Sequence, residues 1–353
     1  MKRKKKIVSK RRKKKKVEVE KISLKKKIKF YSEKLKLLKK EIHKAIVGQD
    51  EVVDSVLKAL ISNGHVLLEG VPGIAKTFLV RVLARAVKGA TFSRIQFTPD
   101  LLPSDITGIT IYEKGKGFYV KKGPVFANFV LGDEINRAPP KVQSAMLQVM
   151  QEREVTIGNE TFKLPKPFLV LATQNPLEQK GVYPLPEAQV DRFLFKVLVF
   201  YPTKEEEKII IDQNIDVKSM EEFGIKKVIS LNDILEMQSI VKKIFISEEV
   251  KDYITSLVEA TRYPKKYDLE LGKYIRWGAS PRASIFLALG GRATAFMDGR
   301  DFVIPDDVKS VAKDVLRHRI ILTYEGRAKE ISTDQIVEEI LERVPVKWMI
   351  LKT

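Results

Sequence analysis

Residues 64–79 constrain this chain more than any other stretch. His65-Val66-Leu67-Leu68-Glu69 reads as an apolar strand, and Gly70-Val71-Pro72-Gly73-Ile74-Ala75-Lys76-Thr77 reads as a Gly/Pro turn. Phe78, Leu79, Val80, Val82, Leu83 and Ala86 then mark the apolar face of a helix that opens at the turn. A strand running through such a turn into a helix has the form of a phosphate-binding P-loop. Gly70 and Gly73 let the backbone come close to a phosphate chain. Free N–H groups of the loop and helix start point inward, and the helix dipole adds positive field. Lys76 brings a full charge to the β- and γ-phosphates, and Thr77 offers a hydroxyl to Mg2+. The usual pattern has glycine just before the lysine, where this chain has Ala75; the methyl is tolerated if that position is not left-handed. The alternative is a strand–turn–helix with an incidental Lys-Thr.

A second stretch completes this reading. Leu131-Gly132-Asp133-Glu134 closes an apolar run that begins at Phe126. A buried strand therefore delivers two adjacent carboxylates to the C-terminal edge of a sheet. There Asp133 can sit in the Mg2+ shell, and Glu134 can polarise a water in line with the γ-phosphate. A strand ending in Asp-Glu is common by itself. This one follows Lys76 by 57 residues, within the same alternation of strands and helices.

That alternation sets the fold class. Apolar runs predict strands over about 92–97, 126–131, 168–173 and 193–200, with a helix over 140–151. Alternating polar and apolar residues predict hairpins at 109–112/117–120 and 154–157/161–164. Together they argue for a doubly wound parallel sheet. Tyr201-Pro202-Thr203 marks a boundary, beyond which the periodicity is helical over about 204–214, 231–244, 247–261, 281–296, 305–317 and 333–343. The expected architecture is α/β: a sheet domain over 41–202 followed by a small all-α domain over 203–353.

Residues 1–40 stand apart. Residues 1–44 hold 22 of the 65 Lys/Arg but 4 of the 45 Asp/Glu, so they carry +18 of the net +20 and the remainder only +2. Such a charge block is expected to be partly disordered, either as a solvated tail or as a contact for nucleic acid, anionic lipid or an acidic partner. Within it, Ile28, Tyr31, Leu35, Leu38 and Ile42 recur at spacings of three and four and predict an amphipathic helix over about 21–43 with a very basic outer face. The basic start leads into no secretory apolar run, and no 18-residue apolar span follows, so no transmembrane segment and a cytoplasmic location are expected. The absence of cysteine excludes disulfides, thiol nucleophiles and Cys-based metal sites. His43, His65 and His318 are scattered and read as structural.

Five ordered blocks carry a resemblance: Gly64 to Gly73; Asp133-Glu134-Ile135-Asn136-Arg137-Ala138-Pro139-Pro140-Lys141-Val142-Gln143-Ser144-Ala145; Ala172-Thr173-Gln174-Asn175-Pro176; Tyr183-Pro184-Leu185-Pro186-Glu187-Ala188-Gln189; and Gly278-Ala279-Ser280-Pro281-Arg282-Ala283. From about Ile42 to Val346 the chain closely resembles the MoxR family of AAA+ ATPases, in which alanine before the P-loop lysine is also familiar. The resemblance implies a P-loop AAA+ core with a helical lid, and ATP and Mg2+ as ligands. Gly70, Val71, Pro72, Gly73, Ile74, Ala75, Lys76, Thr77 and Phe78 would cradle the nucleotide, and Val47, Gly48 and Gln49 would meet the adenine. Asn175 matches sensor 1, which orients the attacking water with Glu134; otherwise it is a turn Asn before Pro. Arg192 matches an arginine finger reaching a neighbouring subunit; otherwise it pairs on the surface with Asp191 or Glu187. Arg282 matches sensor 2 at the start of a lid helix; otherwise it is a lid-surface arginine. Arg137 is a weaker interface candidate.

The resemblance further implies a homo-oligomeric ring, a hexamer, that remodels or matures partner proteins, including ones with a von Willebrand factor A-type domain. The hairpins match insertions shared with minichromosome-maintenance helicases and would face the ring's pore. Tyr112, Phe118 and Tyr119 would then grip substrate, or simply stack across the hairpin. A nucleic-acid motor and a non-hydrolysing scaffold are the competing expectations.

Overall fold

The computed structural model describes residues 24–71, 76–176, 181–214 and 221–346. Pro72, Gly73, Ile74 and Ala75 of the expected phosphate loop, and residues 1–23 of the basic tail, lie outside them.

The first half of the chain runs α1 (24–42), α2 (Asp50–Ile61), β1 (Val66–Gly70), α3 (Lys76–Ala86), β2 (Val87–Lys88), β3 (Phe92–Gln96), α4 (Pro103–Thr107) and the hairpin β4 (Gly108–Glu113)/β5 (Gly117–Lys122). It continues with β6 (Phe129–Asp133), α5 (Pro140–Glu152), the hairpin β7 (Glu154–Ile157)/β8 (Glu160–Lys163), β9 (Leu169–Gln174), α6 (Glu187–Val190) and β10 (Phe195–Val199). The second half holds α7 (Lys204–Asn214), β11 (Ile229–Ser230), α8 (Leu231–Val241), α9 (Glu248–Arg262), β12 (Ile275–Trp277), α10 (Pro281–Met297), α11 (Pro305–Leu316), β13 (Ile321–Leu322), α12 (Tyr324–Ala328) and α13 (Thr333–Arg343).

Five strands form one parallel sheet in the order β10-β1-β9-β6-β3. Its inner strands are nearly continuous apolar runs, as a sheet covered on both faces requires. Alternate side chains feed two cores. Val66, Leu68, Leu131 and Leu171 point into the larger one with α1, α2, α3 and the C-terminal helices. Leu67, Val130, Val170 and Ala172 point into the smaller one with α5 and the β7/β8 hairpin.

The second half departs from an all-α expectation in two places: β11 pairs in parallel with β2, and β12 and β13 pair as a short antiparallel ribbon. In α10 a glycine sits mid-helix because α11 comes too close for a side chain. A Cβ on Gly290 would lie 2.9 Å from Val311 Cγ2.

The predicted amphipathic helix is α1, and it docks. Ile28, Leu35, Leu38 and Ile42 are fully buried in the larger core. Its flanking lysines meet carboxylates: Lys27 with Glu236 at 2.6 Å, Lys34 with Asp233 at 2.8 Å, and Lys39 with Asp54 at 2.8 Å. Part of the expected basic outer face is therefore answered by acids of the body. Apolar burial should dominate this docking, because exposed ion pairs contribute little.

His65 is structural, as expected. Val170 N–H donates to Nδ1 at 3.0 Å and the Nε2 side lies 3.0 Å from Met150 O, so the neutral ring bridges β1, β9 and α5. Burial, aided by the nearby Arg153 charge, pushes its pKa down to about 3.

Two outcomes follow. Leu38→Ala should cost about 2–5 kcal/mol in urea titration, whereas Lys27→Ala should cost at most about 1 kcal/mol. His65 has a folded pKa below its unfolded value, so the unfolded chain binds more protons and stability should fall as pH drops from about 6.5 towards 3. The slope between pH 6.5 and 5, where carboxylates titrate little, should shrink in His65→Gln.

Candidate functional site

β1, β9 and β6 end side by side. Glu69 is level with Gln174, and Gly132 with Ala172. The residues that follow these strands therefore share one edge of the sheet. Gly70, Lys76, Thr77, Asp133, Glu134 and Asn175 all belong to this edge or to the helix that starts at it.

Lys76 opens α3 and donates to Gly70 O at 2.5 Å. Burial lowers its ammonium pKa, while Asp133, Glu134 and Glu69 oppose the shift. Thr77 Oγ1 lies 3.5 Å from Asp133 Oδ2. Thr173 Oγ1 donates to Asp133 Oδ1 at 2.7 Å and accepts from Glu134 N–H at 2.9 Å, so one hydroxyl fixes both acidic residues. Glu134 is left-handed at φ 56°, a conformation that is strained for a non-glycine residue and concentrates at functional positions. Thr173 was not singled out from the sequence. Its signal was there: one hydroxyl at the end of the otherwise apolar run Leu169–Ala172.

Every carboxylate at this edge has a partner. Arg94 Nε and Nη2 bind Asp133 Oδ2 at 3.1 and 2.6 Å. Arg94 also holds Gln96 Oε1 at 2.7 Å, and Gln96 Nε2 reaches Glu134 Oε2 at 3.0 Å. Arg137 Nε stands 3.1 Å from the same Glu134 oxygen. Lys196 pairs with Glu69 at 2.9 Å, and Gln174 donates to the other Glu69 oxygen. Asn175 is buried beside them and lines a cavity of about 360 Å³ with Lys196 and His318. No cluster of three or more His, Cys, Asp or Glu with metal-binding geometry occurs among the described residues. Thr77 and Asp133 instead give two neighbouring hard oxygens, which fits an ion such as Mg2+ that takes its remaining ligands from phosphate and water.

Other predicted residues sit differently. Gly48 and Gln49 form a left-handed turn (φ 63° and 55°) at the start of α2, with Val47 partly buried before it. The left-handed φ favours glycine at Gly48, and the Glu206 carboxylate lies over the space a Cβ would take. Val71 is partly buried, and Phe78 packs edge-on against Phe223 at 5.3 Å.

Arg192 and Arg282 lie at the opposite edge. Leu194 N–H bonds His65 O at 2.9 Å, which puts this segment before the first residue of β1. The five residues of β1 separate it from Gly70 by about 16 Å. Arg192 Nη1 donates to Leu147 O at 3.1 Å rather than to Asp191 or Glu187. Arg282 pairs with Asp191 at 2.7 Å. Buried Arg319 takes the other Asp191 oxygen at 2.8 Å and stacks its guanidinium 4.9 Å from the Phe286 ring. Asp191 thus ties the C-terminal helices to the sheet.

Comparison with known proteins supplies the relatives. Residues 65–195 match the ATPase family associated with various cellular activities (AAA), and residues 271–340 match the AAA lid domain. The chain is 52% identical to "Chaperone MoxR1" of Mycobacterium tuberculosis over 306 residues, covering 86% of this chain and 80% of that protein. It is 31% identical to "Protein MoxR" of Methylorubrum extorquens over 322 residues, covering 87% of this chain and 93% of that protein. A crystal structure of a candidate ATPase from Cytophaga hutchinsonii superimposes with a TM-score of 0.86 at 50% identity, covering 93% of this chain and 99% of that one.

Thr173→Val removes the hydroxyl shared by Asp133 and Glu134. It should cost about 1–3 kcal/mol of folding stability and raise the Mg2+ concentration for half-maximal binding of a fluorescent ATP analogue. Arg94→Ala releases Asp133 Oδ2 and should lower that concentration. Unchanged Mg2+ dependence in both variants would separate Asp133 from the metal.

Proposed function

This chain belongs to the MoxR family of AAA+ ATPases, and on that premise we propose that it hydrolyses ATP to ADP and phosphate at sites shared between neighbouring copies of a ring. In this reading Lys76 and the N–H groups around it hold the phosphates. Thr77 and Asp133 hold Mg2+, which neutralises charge on the β- and γ-phosphates. Glu134 takes the proton of the attacking water, and Asn175 orients that water. Val47, Gly48 and Gln49 contact the adenine. Arg192 and Arg282 serve the nucleotide of the next copy.

One observation carries the reading. The sheet presents Lys76, Asp133 and Glu134 at one edge and Arg192 with Arg282 at the other, a strand's length away. Both arginines make their contacts away from their own chain's Lys76 and Asp133, with Leu147 O and Asp191, which supports a role at another copy's site. AAA+ ATPases typically assemble as rings, and six copies is the ring we propose.

The output we propose is remodelling of partner proteins in the cytoplasm, including clients with a von Willebrand factor A-type domain. The chaperone name of the Mycobacterium tuberculosis relative supports it. So does the β4/β5 hairpin, which exposes Tyr112 (63%) and Phe118 (78%) with their rings 5.1 Å apart. The tilted pair is both a cross-strand contact and an open apolar tip. The nucleic-acid reading loses ground because several lysines of α1 are spent on acids of the body. No helix among the described residues is long and apolar enough to cross a membrane.

Steady-state ATPase activity against protein concentration tests this. Specific activity should rise as copies assemble, fall by about 10³-fold or more in Arg192→Ala, and ignore added DNA. Activity that is flat with concentration and indifferent to Arg192 would overturn the shared site. Strong stimulation by DNA would replace remodelling with a nucleic-acid motor.

A further inference from the structure

Around Arg192 the charges do not balance. A cavity of about 190 Å³ is lined by Arg153, Arg192 and Arg282, with Asn63, His65 and Phe286 among its other walls. Arg153 caps the C-terminus of α5 in a left-handed conformation (φ 57°). Its guanidinium donates to Asn63 Oδ1 and, at 2.5 Å, to Asn63 O. Arg192 donates to Leu147 O. Among the described residues, neither Arg153 nor Arg192 has a carboxylate within ion-pair distance. Arg282 has Asp191, but Asp191 is also the partner of buried Arg319. Of these four guanidiniums, two divide one carboxylate and two have none. Burial alone pulls the Arg153 pKa below its ordinary value, with no acid to offset it.

A guanidinium drawn out of water without a counter-charge is unfavourable, and native structures rarely keep one without a reason. Hydrogen bonds to carbonyl oxygens restore part of the lost solvation but none of the charge. Three guanidiniums around one cavity, two of them without a carboxylate among the described residues, call for a multiply charged anion. Arginine forks suit phosphate oxygens in particular, and Arg153 uses two of its five N–H donors on Asn63, leaving three.

We propose that this cavity receives the terminal phosphate of the nucleotide bound to the neighbouring copy, and that Arg153 is a third arginine on that phosphate beside Arg192 and Arg282. The proposal rests on the shared-site reading above. Its own P-loop is excluded as the source of the phosphate, because Gly70 stands at the far end of β1. Arg153 has a further consequence. Leu164 N–H bonds Arg153 O at 3.0 Å, so the base of the β7/β8 hairpin hangs on this residue. Nucleotide state at the shared site thereby reaches the hairpin through one backbone link.

Mixed rings test it. Arg153→Ala should lower ATPase turnover about 10²-fold and leave fluorescent ATP analogue binding by the isolated subunit within about 2-fold, since Arg153 is remote from its own P-loop. Mixing it with Glu134→Gln, itself inactive, should restore activity well above either protein alone. One class of site then joins Glu134 from one copy to Arg153 from the other. Arg192→Ala mixed with Glu134→Gln is the control. Recovery with Arg192→Ala but not with Arg153→Ala would overturn the role of Arg153 and leave the shared site standing. Recovery with neither would overturn both. If Arg153→Ala does not fold, Arg153→Lys and Arg153→Gln take its place, and lysine should retain more activity than glutamine. If the cavity binds a free anion instead, inorganic phosphate will raise the Tm of subunits diluted below assembly. That shift would vanish in the variant without any mixed-ring recovery, which overturns the neighbour's nucleotide as the source.

Discussion

The side-by-side register of β1, β9 and β6 is the constraint on which the rest depends. Parallel strands end on the same edge, so three separate loops deliver their side chains to one place. β9 enters between the other two, and its Thr173 is close enough to bond both Asp133 and Glu134. A shift of the β9 register by one residue would turn that hydroxyl to the other face and bring apolar Ala172 to the acids instead. Two apolar cores, one on each face, hold the register. Each depends on the alternation of Val66, Leu67 and Leu68 along β1.

Charge is distributed unequally between the two edges. At the C-terminal edge the chain neutralises itself: Asp133 with Arg94, Glu134 with Arg137, and Glu69 with Lys196. On the proposed reading, a metal and phosphate chain would exchange with these partners rather than enter a bare acidic site. At the opposite edge arginines outnumber acids, and Asp191 alone serves Arg282 and Arg319. The two edges are thus complementary, one meant for a polyanion and the other short of one. In the ring proposed above, the surplus of one edge would meet the ligand of the next copy.

Much of this was legible in the chain. The apolar runs, the Gly/Pro turn before Lys76 and the Asp-Glu after a buried strand each report a local requirement, and local requirements are written in consecutive residues. The helices of the second half follow their periodicity closely, and α1 follows the spacing of Ile28, Leu35, Leu38 and Ile42. What escaped were features set by partners distant in sequence. Arg94 pairs with Asp133 across 39 positions, and nothing near Arg94 announces it. Short elements such as β2 with β11 and β12 with β13 escaped for the same reason: a two- or three-residue strand exists only because its partner is there.

The sequence by itself determined the fold class, the family and the candidate residues of the P-loop and the acidic strand, because glycine, lysine and carboxylate identities at fixed spacings answer to backbone geometry over a few residues. Tertiary structure alone decided that Arg192 and Arg282 lie a strand's length from their own P-loop, that α1 lies docked in the core, and that Arg153 joins Arg192 around one cavity. The edge of the sheet on which a side chain finishes depends on strand order and direction, and these are fixed by long-range packing rather than by neighbours along the chain.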